Sequence, residues 1–481
     1  MQLAAAKEQA SKSAAAADRP PPPKDKPPKP PPPKRELPAR SVAPIASYKE
    51  SALFHAAASG ASASGLHRHV RRMGEAAWAA DAATSEACRA TFGAGLPLVV
   101  GGVHERLRAA WTPDALCRLH GRAKVAIHEV GTGEPLPAHT AADFFAGFAN
   151  PSRRPRRPAT ATSESPPLLQ LRDWPAELTF REVLPAHFAD LMGALPLRAY
   201  TAADGRRNLA SYLPESATPP DLGPWAECAY GADPAAGGLT NRHGRQLGTS
   251  NLHVGAADAL HVLVHLDGAG CGLPAEGASF MGEPVEPNHG AAWHVFSQAD
   301  TRTLEGLLPY LVRDVGEREG GAAPLLGSCR PLLDASLYLD EALLRHLQQL
   351  AGITPFFVLQ RLGDGVLVPA GCAHQVVNLR STIQVSTAFV APEHVAHVVR
   401  AADEARELPA SHHRHAESLN VRGVLFHAAV ACLAALDESK RKKDRAAGRG
   451  AGDAPPPATS VPAPQPAAPI DAPPSAAAME P

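Results

Sequence analysis

Gln360-Arg-Leu-Gly-Asp-Gly-Val-Leu-Val-Pro-Ala-Gly-Cys-Ala-His-Gln-Val-Val-Asn-Leu379 is the stretch from which the fold is read. Val366-Leu-Val368 is apolar and ends at Pro369-Ala-Gly371. Proline cannot donate to a sheet ladder, so this run reads as a strand closed by a turn. His374 follows, where strand meets loop. Working outward, residues 383–390 read as another strand, and residues 260–266 alternate Leu260, Val262 and Val264 against His261, Leu263 and His265. Leu96-Pro-Leu-Val-Val100, stopped by Gly101-Gly102, reads as a buried strand. Thr112-Pro113-Asp114 has the chemistry of a helix start, and residues 341–350, 395–408 and 421–436 have helical spacing. Short strands, long connections and flanking helices predict a mainly β fold, a barrel or β-helix core with an α shell. Regular β-α alternation and glycine-rich phosphate loops are lacking, which excludes a doubly wound sheet.

With 22 His in the chain, chance pairs are expected, but two stand apart by context. His253 follows the polar turn Gly248-Thr-Ser-Asn-Leu252 and leads into an apolar strand, and His374 follows the Pro-Ala-Gly turn. A non-haem iron centre takes two neutral imidazoles and one carboxylate on one face of the metal and leaves three positions open. The carboxylate normally comes two residues after the first His, because alternate strand residues share a face. The two His lie 121 residues apart (374 − 253), so spacing alone is a weak signal. His261 and His265 share strand parity with His253. Eight extended residues span roughly 26 Å, however, so unless the chain bends sharply, core positions or positions behind the ligands are expected for them.

The ordered motifs resemble a known family. Residues 360–379 are similar to the second-histidine segment of the JmjC demethylases that act on mono- and dimethylated ninth-residue lysine of the histone H3 tail. The likeness extends to Phe389-Val-Ala-Pro-Glu-His-Val395, Asn208-Leu-Ala-Ser-Tyr-Leu-Pro214, Pro220-Asp-Leu-Gly-Pro224, Ala291-Ala-Trp-His-Val295 and Leu171-Arg-Asp-Trp-Pro175. Weaker likeness begins near Pro97-Leu-Val-Val-Gly-Gly-Val-His104 and ends near His427. The resemblance implies a double-stranded β-helix of the JmjC/cupin-like kind, with iron(II) on His253 and His374 and with 2-oxoglutarate as co-substrate. It also implies the histone H3 tail or other chromatin proteins as partners, and the nucleus as location.

Two departures bear on activity. The family's first-ligand motif is Asn-Leu-His-x-Asp, followed by a short segment ending in Asp-Ala. This chain reads Asn251-Leu-His-Val-Gly-Ala-Ala-Asp-Ala259, so Gly255 stands where the ligand carboxylate belongs. Asp258 matches the later, non-ligand Asp, and five residues from His253 it has the wrong parity. The far carboxylate of 2-oxoglutarate is usually held by a Lys or Arg and a hydroxyl, because a buried carboxylate needs a charged partner. Ser250 supplies the hydroxyl, but Gln384 stands at the position of the Lys; Arg380 is the nearby candidate to compensate, against the favoured reading that Asn378-Leu379-Arg380 turns outward. The family's cysteine-rich zinc region has no counterpart, so a stripped-down or truncated member is expected.

The formal net charge of −1 gives no global attraction to nucleic acid, and no sequence-specific nucleic-acid motif is present. Seven Cys without a C-x-x-C pair suggest neither zinc ribbon nor disulfide framework. No signal peptide and no apolar run of about 20 residues are seen, so no membrane is expected. Five segments follow from composition: a disordered Pro/Lys/Ala-rich tail at 1–46, a helical lead-in at 47–95, the JmjC-like domain at 96–436, a basic segment at 437–450 and a disordered Ala/Pro-rich tail at 451–481. Asn150 to Pro167, with Arg153, Arg154, Arg156 and Arg157 between prolines, reads as a surface insertion. Lys440-Arg-Lys-Lys-Asp-Arg445 resembles a nuclear import signal. Two functional readings stand: a chromatin regulator whose activity is lost, and an active demethylase with an open coordination position.

Overall fold

Among the described residues, sixteen strands carry the architecture: β1 Arg68–His69, β2 Arg71–Met73, β3 Leu98–Val100, β4 Lys124–Glu129, β5 Pro135–Thr140, β6 Leu169–Trp174, β7 Trp225–Ala229 and β8 Ser250–Val254, then β9 Asp258–Leu266, β10 Ser279–Phe280, β11 Glu283–Pro284, β12 His289–Val295, β13 Phe356–Arg361, β14 Gly365–Val368, β15 Ala373–Asn378 and β16 Thr382–Phe389. They come from a computed structural model that describes residues 65–446, except 76–77, 79–82, 131–134, 157–167, 176–177, 232–247, 268–278, 319–329, 336, 413 and 416–418. Both expected tails, and Arg157 of the expected insertion, lie outside the described residues.

One sheet has the order β1-β13-β12-β15-β8, and the other has β2-β3-β14-β9-β16-β7-β6-β4-β5. Their central parts are antiparallel: β13-β12-β15-β8 on one side and β14-β9-β16-β7 on the other. The chain changes sheet from β8 to β9, back to β12, across to β14, back to β15 and across again to β16. That alternation winds a double-stranded β-helix, with the helices outside it. The expected strands appear within a residue or two of their sequence limits. Strands β12, β14 and β15 are buried along their whole length, as a strand covered on both faces must be. The turn into β15 requires glycine: Gly371 has φ +84, and a Cβ there would collide with the His397 ring.

Two expectations change. The lead-in is not simply helical. Beside the helix Ala83–Gly93 it supplies β1 and β2, which pair parallel with β13 and β3. Within Arg68-His-Val-Arg-Arg-Met73, Met73 is buried, at 6% exposed, and Val70 packs partly buried against the core. The last helix runs Val421–Ala446 without a break at 436, so the basic run lies on its final turns. Cations are favoured at that end of a helix. No helix among the described residues is long and apolar enough to cross a membrane.

Candidate metal centre

Strand pairing closes the gap of 121 residues between the two candidate ligands. β8 lies antiparallel to β15, and His253 stands directly opposite His374 in the register. Side chains at such positions share a face, with Cβ atoms about 5 Å apart. The imidazole centroids are 4.2 Å apart, and Trp293 stacks with His374 at 6.1 Å and 20°.

Each ring is held by its Nδ1. That of His253 lies 2.8 Å from the Asn251 carbonyl oxygen, and that of His374 lies 3.1 Å from the Cys372 carbonyl oxygen. A carbonyl can only accept, so Nδ1 carries the proton in both and Nε2 keeps its lone pair for a ligand. A metal-binding imidazole is usually oriented in this way, its other ring N–H donating to a carbonyl or carboxylate. Burial holds His253 well below the usual histidine range, helped by the positive neighbours His374, if protonated, and Arg414. Burial first, then His261, brings His374 to about 3. Both rings are therefore neutral at physiological pH, as a metal ligand must be.

The third ligand is missing. Gly255 offers no side chain, and Asp258 is engaged elsewhere. Fully buried, it accepts hydrogen bonds from the backbone N–H of Ala370 and Ala391, both at 2.8 Å, and pairs with His394 Nδ1 at 2.5 Å. It thereby pins the point where the chain crosses from β8 to β9, the structural role its parity indicated. Among the described residues, no group of three His, Cys, Asp or Glu could hold a metal ion. The residues supply two of the three protein donors of an iron triad and so do not fit the complete group.

The two rings open on a pocket of about 260 Å³. Ser250 and Gln384 line it, as expected. Arg380 does not. It sits in the turn between β15 and β16, its N–H donating to the Gly290 carbonyl and its backbone packed against Gly231, so the turn carries it away from the pocket. His261 lines the pocket as well, behind the ligand His374. The estimate of roughly 26 Å assumed an extended chain. The chain turns at residues 255–257 and changes sheet, which brings the His261 ring to 6.1 Å from His374. His261 Nδ1 contacts Ser386 Oγ at 2.7 Å, Ser386 donates to Glu227 at 3.2 Å, and His261 Nε2 is buried without a partner. His265 stays remote, near Phe148.

Further lining residues were not singled out as site candidates in the sequence. Arg172 and Glu227 come from neighbouring strands β6 and β7, and Arg414 comes from the loop after the helix Val395–Arg406. Arg414 Nη1 donates to the Val254 carbonyl at 2.7 Å. Burial pushes the Glu227 carboxyl up, and it pushes up Asp173, another lining residue, with help from Glu227.

Comparison with known proteins points one way. The family described as "JmjC domain, hydroxylase" matches residues 330–389. Lysine-specific demethylase 3A of Rattus norvegicus is 35% identical over 367 residues, covering 71% of this chain and 28% of that protein. Its Homo sapiens counterpart is 35% identical over 369 residues, 72% of this chain and 26% of that protein. Lysine-specific demethylase 3 of Drosophila melanogaster is 32% identical over 366 residues, 71% of this chain and 40% of that protein. The matched region thus spans less than half the length of these relatives.

Proposed function

Since the chain belongs to the JmjC-domain lysine demethylase family, we propose that it is a chromatin regulator that keeps the demethylase scaffold for binding and has lost efficient catalysis. The supporting observation is Gly255 beside two well-oriented imidazoles, with Asp258 committed to Ala370, Ala391 and His394. A carboxylate gives the metal both a bond and a compensating charge. Without it, iron(II) is retained weakly and the reaction with 2-oxoglutarate starts rarely. On this reading the histone H3 tail, or another chromatin protein, is the partner, and residues 440–445 direct the chain to the nucleus. Fluorescence anisotropy with H3-tail peptides carrying mono- and dimethyl-lysine tests binding; no binding by any of them would remove the histone from the proposal.

A second reading is supported by the same pair of rings. Both Nδ1 atoms are spent on carbonyls, so both Nε2 atoms remain suited to a metal. An enzyme could then work with an open coordination position and small ligands in place of Asp. Turnover with 2-oxoglutarate separates the two readings.

A further inference from the structure

Phe426, Val430, Leu433 and Leu436 lie on the last helix, Val421–Ala446, and are between 40% and 66% exposed. That helix packs through its first turns. Val421 joins a cluster with Val390, Val398 and Ala402, and Val424 and Ala428 are buried too. From 429 to 445 no side chain is buried, over a length of roughly 25 Å. Phe426, Val430 and Leu433 follow one another at spacings of four and three, on the side away from Val424 and Ala428, and Leu436 extends the row. With Ala429, Ala431, Cys432, Ala434 and Ala435, the two turns 429–436 are apolar all round. A helix of that kind is ordinarily covered by protein, and a segment this long is marginal alone in water.

The chemistry of the cover follows from the next two turns. Of Lys440, Arg441, Lys442, Lys443 and Arg445, only Lys442 has an ion pair among the described residues, with Glu438 at 2.7 Å. Lys440 and Lys443 are three apart and Arg441 and Arg445 four apart, spacings at which like charges repel. Asp437, Glu438 and Asp444 offset three of the five positive charges. An antiparallel partner helix would bring its N-terminal turns, where acidic side chains are favoured, against this basic end, and its apolar residues against 426–436.

We propose that residues 426–445 are a docking site for an antiparallel amphipathic helix of another protein, acidic in its first two turns and apolar at heptad spacing thereafter. The apolar row supplies the contact area, and Lys440, Arg441, Lys443 and Arg445 set the partner's direction. The site shares no residue with the pocket around His253 and His374, so it does not depend on the state of the metal centre.

The probes are three synthetic helical peptides with the same leucines at heptad spacing. One has glutamates in its first two turns, one has them in its last two turns, and one has lysines in their place. Binding to the full chain is followed by fluorescence anisotropy at low and high salt. Saturable binding of the acid-first peptide, at least tenfold tighter than either of the others and weakened by salt, is expected. Leu433→Glu should abolish it, and Lys440→Glu combined with Arg441→Glu should weaken it tenfold or more. All three side chains are exposed, so both variants should melt like the parent. Leu433→Glu leaves residues 440–445 intact, which keeps this test separate from the import reading. Equal binding of the three peptides, or binding indifferent to Leu433→Glu, overturns the proposal. A light-scattering mass of two chains that Leu433→Glu returns to one would make a second copy the occupant and overturn it too. So would binding to phosphatidylserine vesicles tighter than to the acid-first peptide. Exposed Cys432 should react with a maleimide in the free chain; protection there would make the chain's own flanking segments the cover and overturn the proposal as well.

Discussion

Restoring the missing ligand with Gly255→Asp should tighten divalent metal binding about a hundredfold. The backbone allows the change: a Cβ at 255 meets only the Ala257 carbonyl oxygen, at 3.3 Å, so a shift of a few tenths of an ångström suffices. The new carboxylate stands two residues from His253, just past the end of β8. A unit charge about 4 Å from a divalent ion gains roughly 8 kcal/mol at an effective dielectric of about 20. Desolvating the carboxylate costs several kcal/mol of this, and Arg414, bonded one residue away, competes for it. A net gain of about 3 kcal/mol remains, roughly a hundredfold in Kd. Anaerobic titration of iron(II), checked with manganese(II), measures it. Adding Arg414→Gln should tighten metal binding further by removing the competitor. An affinity unchanged by Gly255→Asp, in a variant that melts like the parent, would refute the carboxylate reasoning.

Other consequences can be measured with the same protein. Asp258→Ala should cost about 3–5 kcal/mol in chemical denaturation, because it leaves His394 and two buried N–H groups without their partner; a loss under 1 kcal/mol would contradict the pinning role. Stability should be greatest near pH 6.5. The His394 pKa is raised by its bond to Asp258, against the opposing effect of burial, so its contribution is full below 6.5 and lost as pH rises through the folded value. Burial lowers His261 and His289 to about 4 and His294 to about 3, so their contributions are present above 6.5 and are lost as pH falls toward those values. Denaturation midpoints that rise steadily from pH 5 to 9 would count against this balance. Replacing Lys440, Arg441, Lys442 and Lys443 with Ala should shift a tagged chain from nucleus to cytoplasm, and unchanged nuclear accumulation would remove the import role.

The sequence disclosed most of what is local. Val366-Leu-Val368 and residues 383–390 read as strands because their apolar content has no competing explanation, and Thr112 caps its helix as its chemistry suggests. Parity identified Asp258 as a non-ligand, and the structure gives it three partners that account for its burial. Features depending on the path of the chain were out of reach. An extended chain would carry His261 roughly 26 Å from His253, and only the sharp bend and change of sheet at 255–257 bring it near the centre. Arg380 is close to Gln384 in sequence, and its outward turn, the favoured reading of Asn378-Leu379-Arg380, is what the backbone shows. Arg414 lies in a His-rich loop without periodicity, and only the hydrogen bond to Val254 reveals its place at the pocket.

The reading of lost catalysis is tested most directly by succinate formation. The purified chain is supplied with iron(II), 2-oxoglutarate, oxygen and an H3-tail peptide bearing mono- or dimethyl-lysine, and succinate is measured against a protein-free control. With Gly255 in place, no succinate above that control is expected. Sustained, peptide-dependent succinate formation by the unmodified chain, at a rate that Gly255→Asp does not raise, would contradict the reading and establish an enzyme that works with an open coordination position.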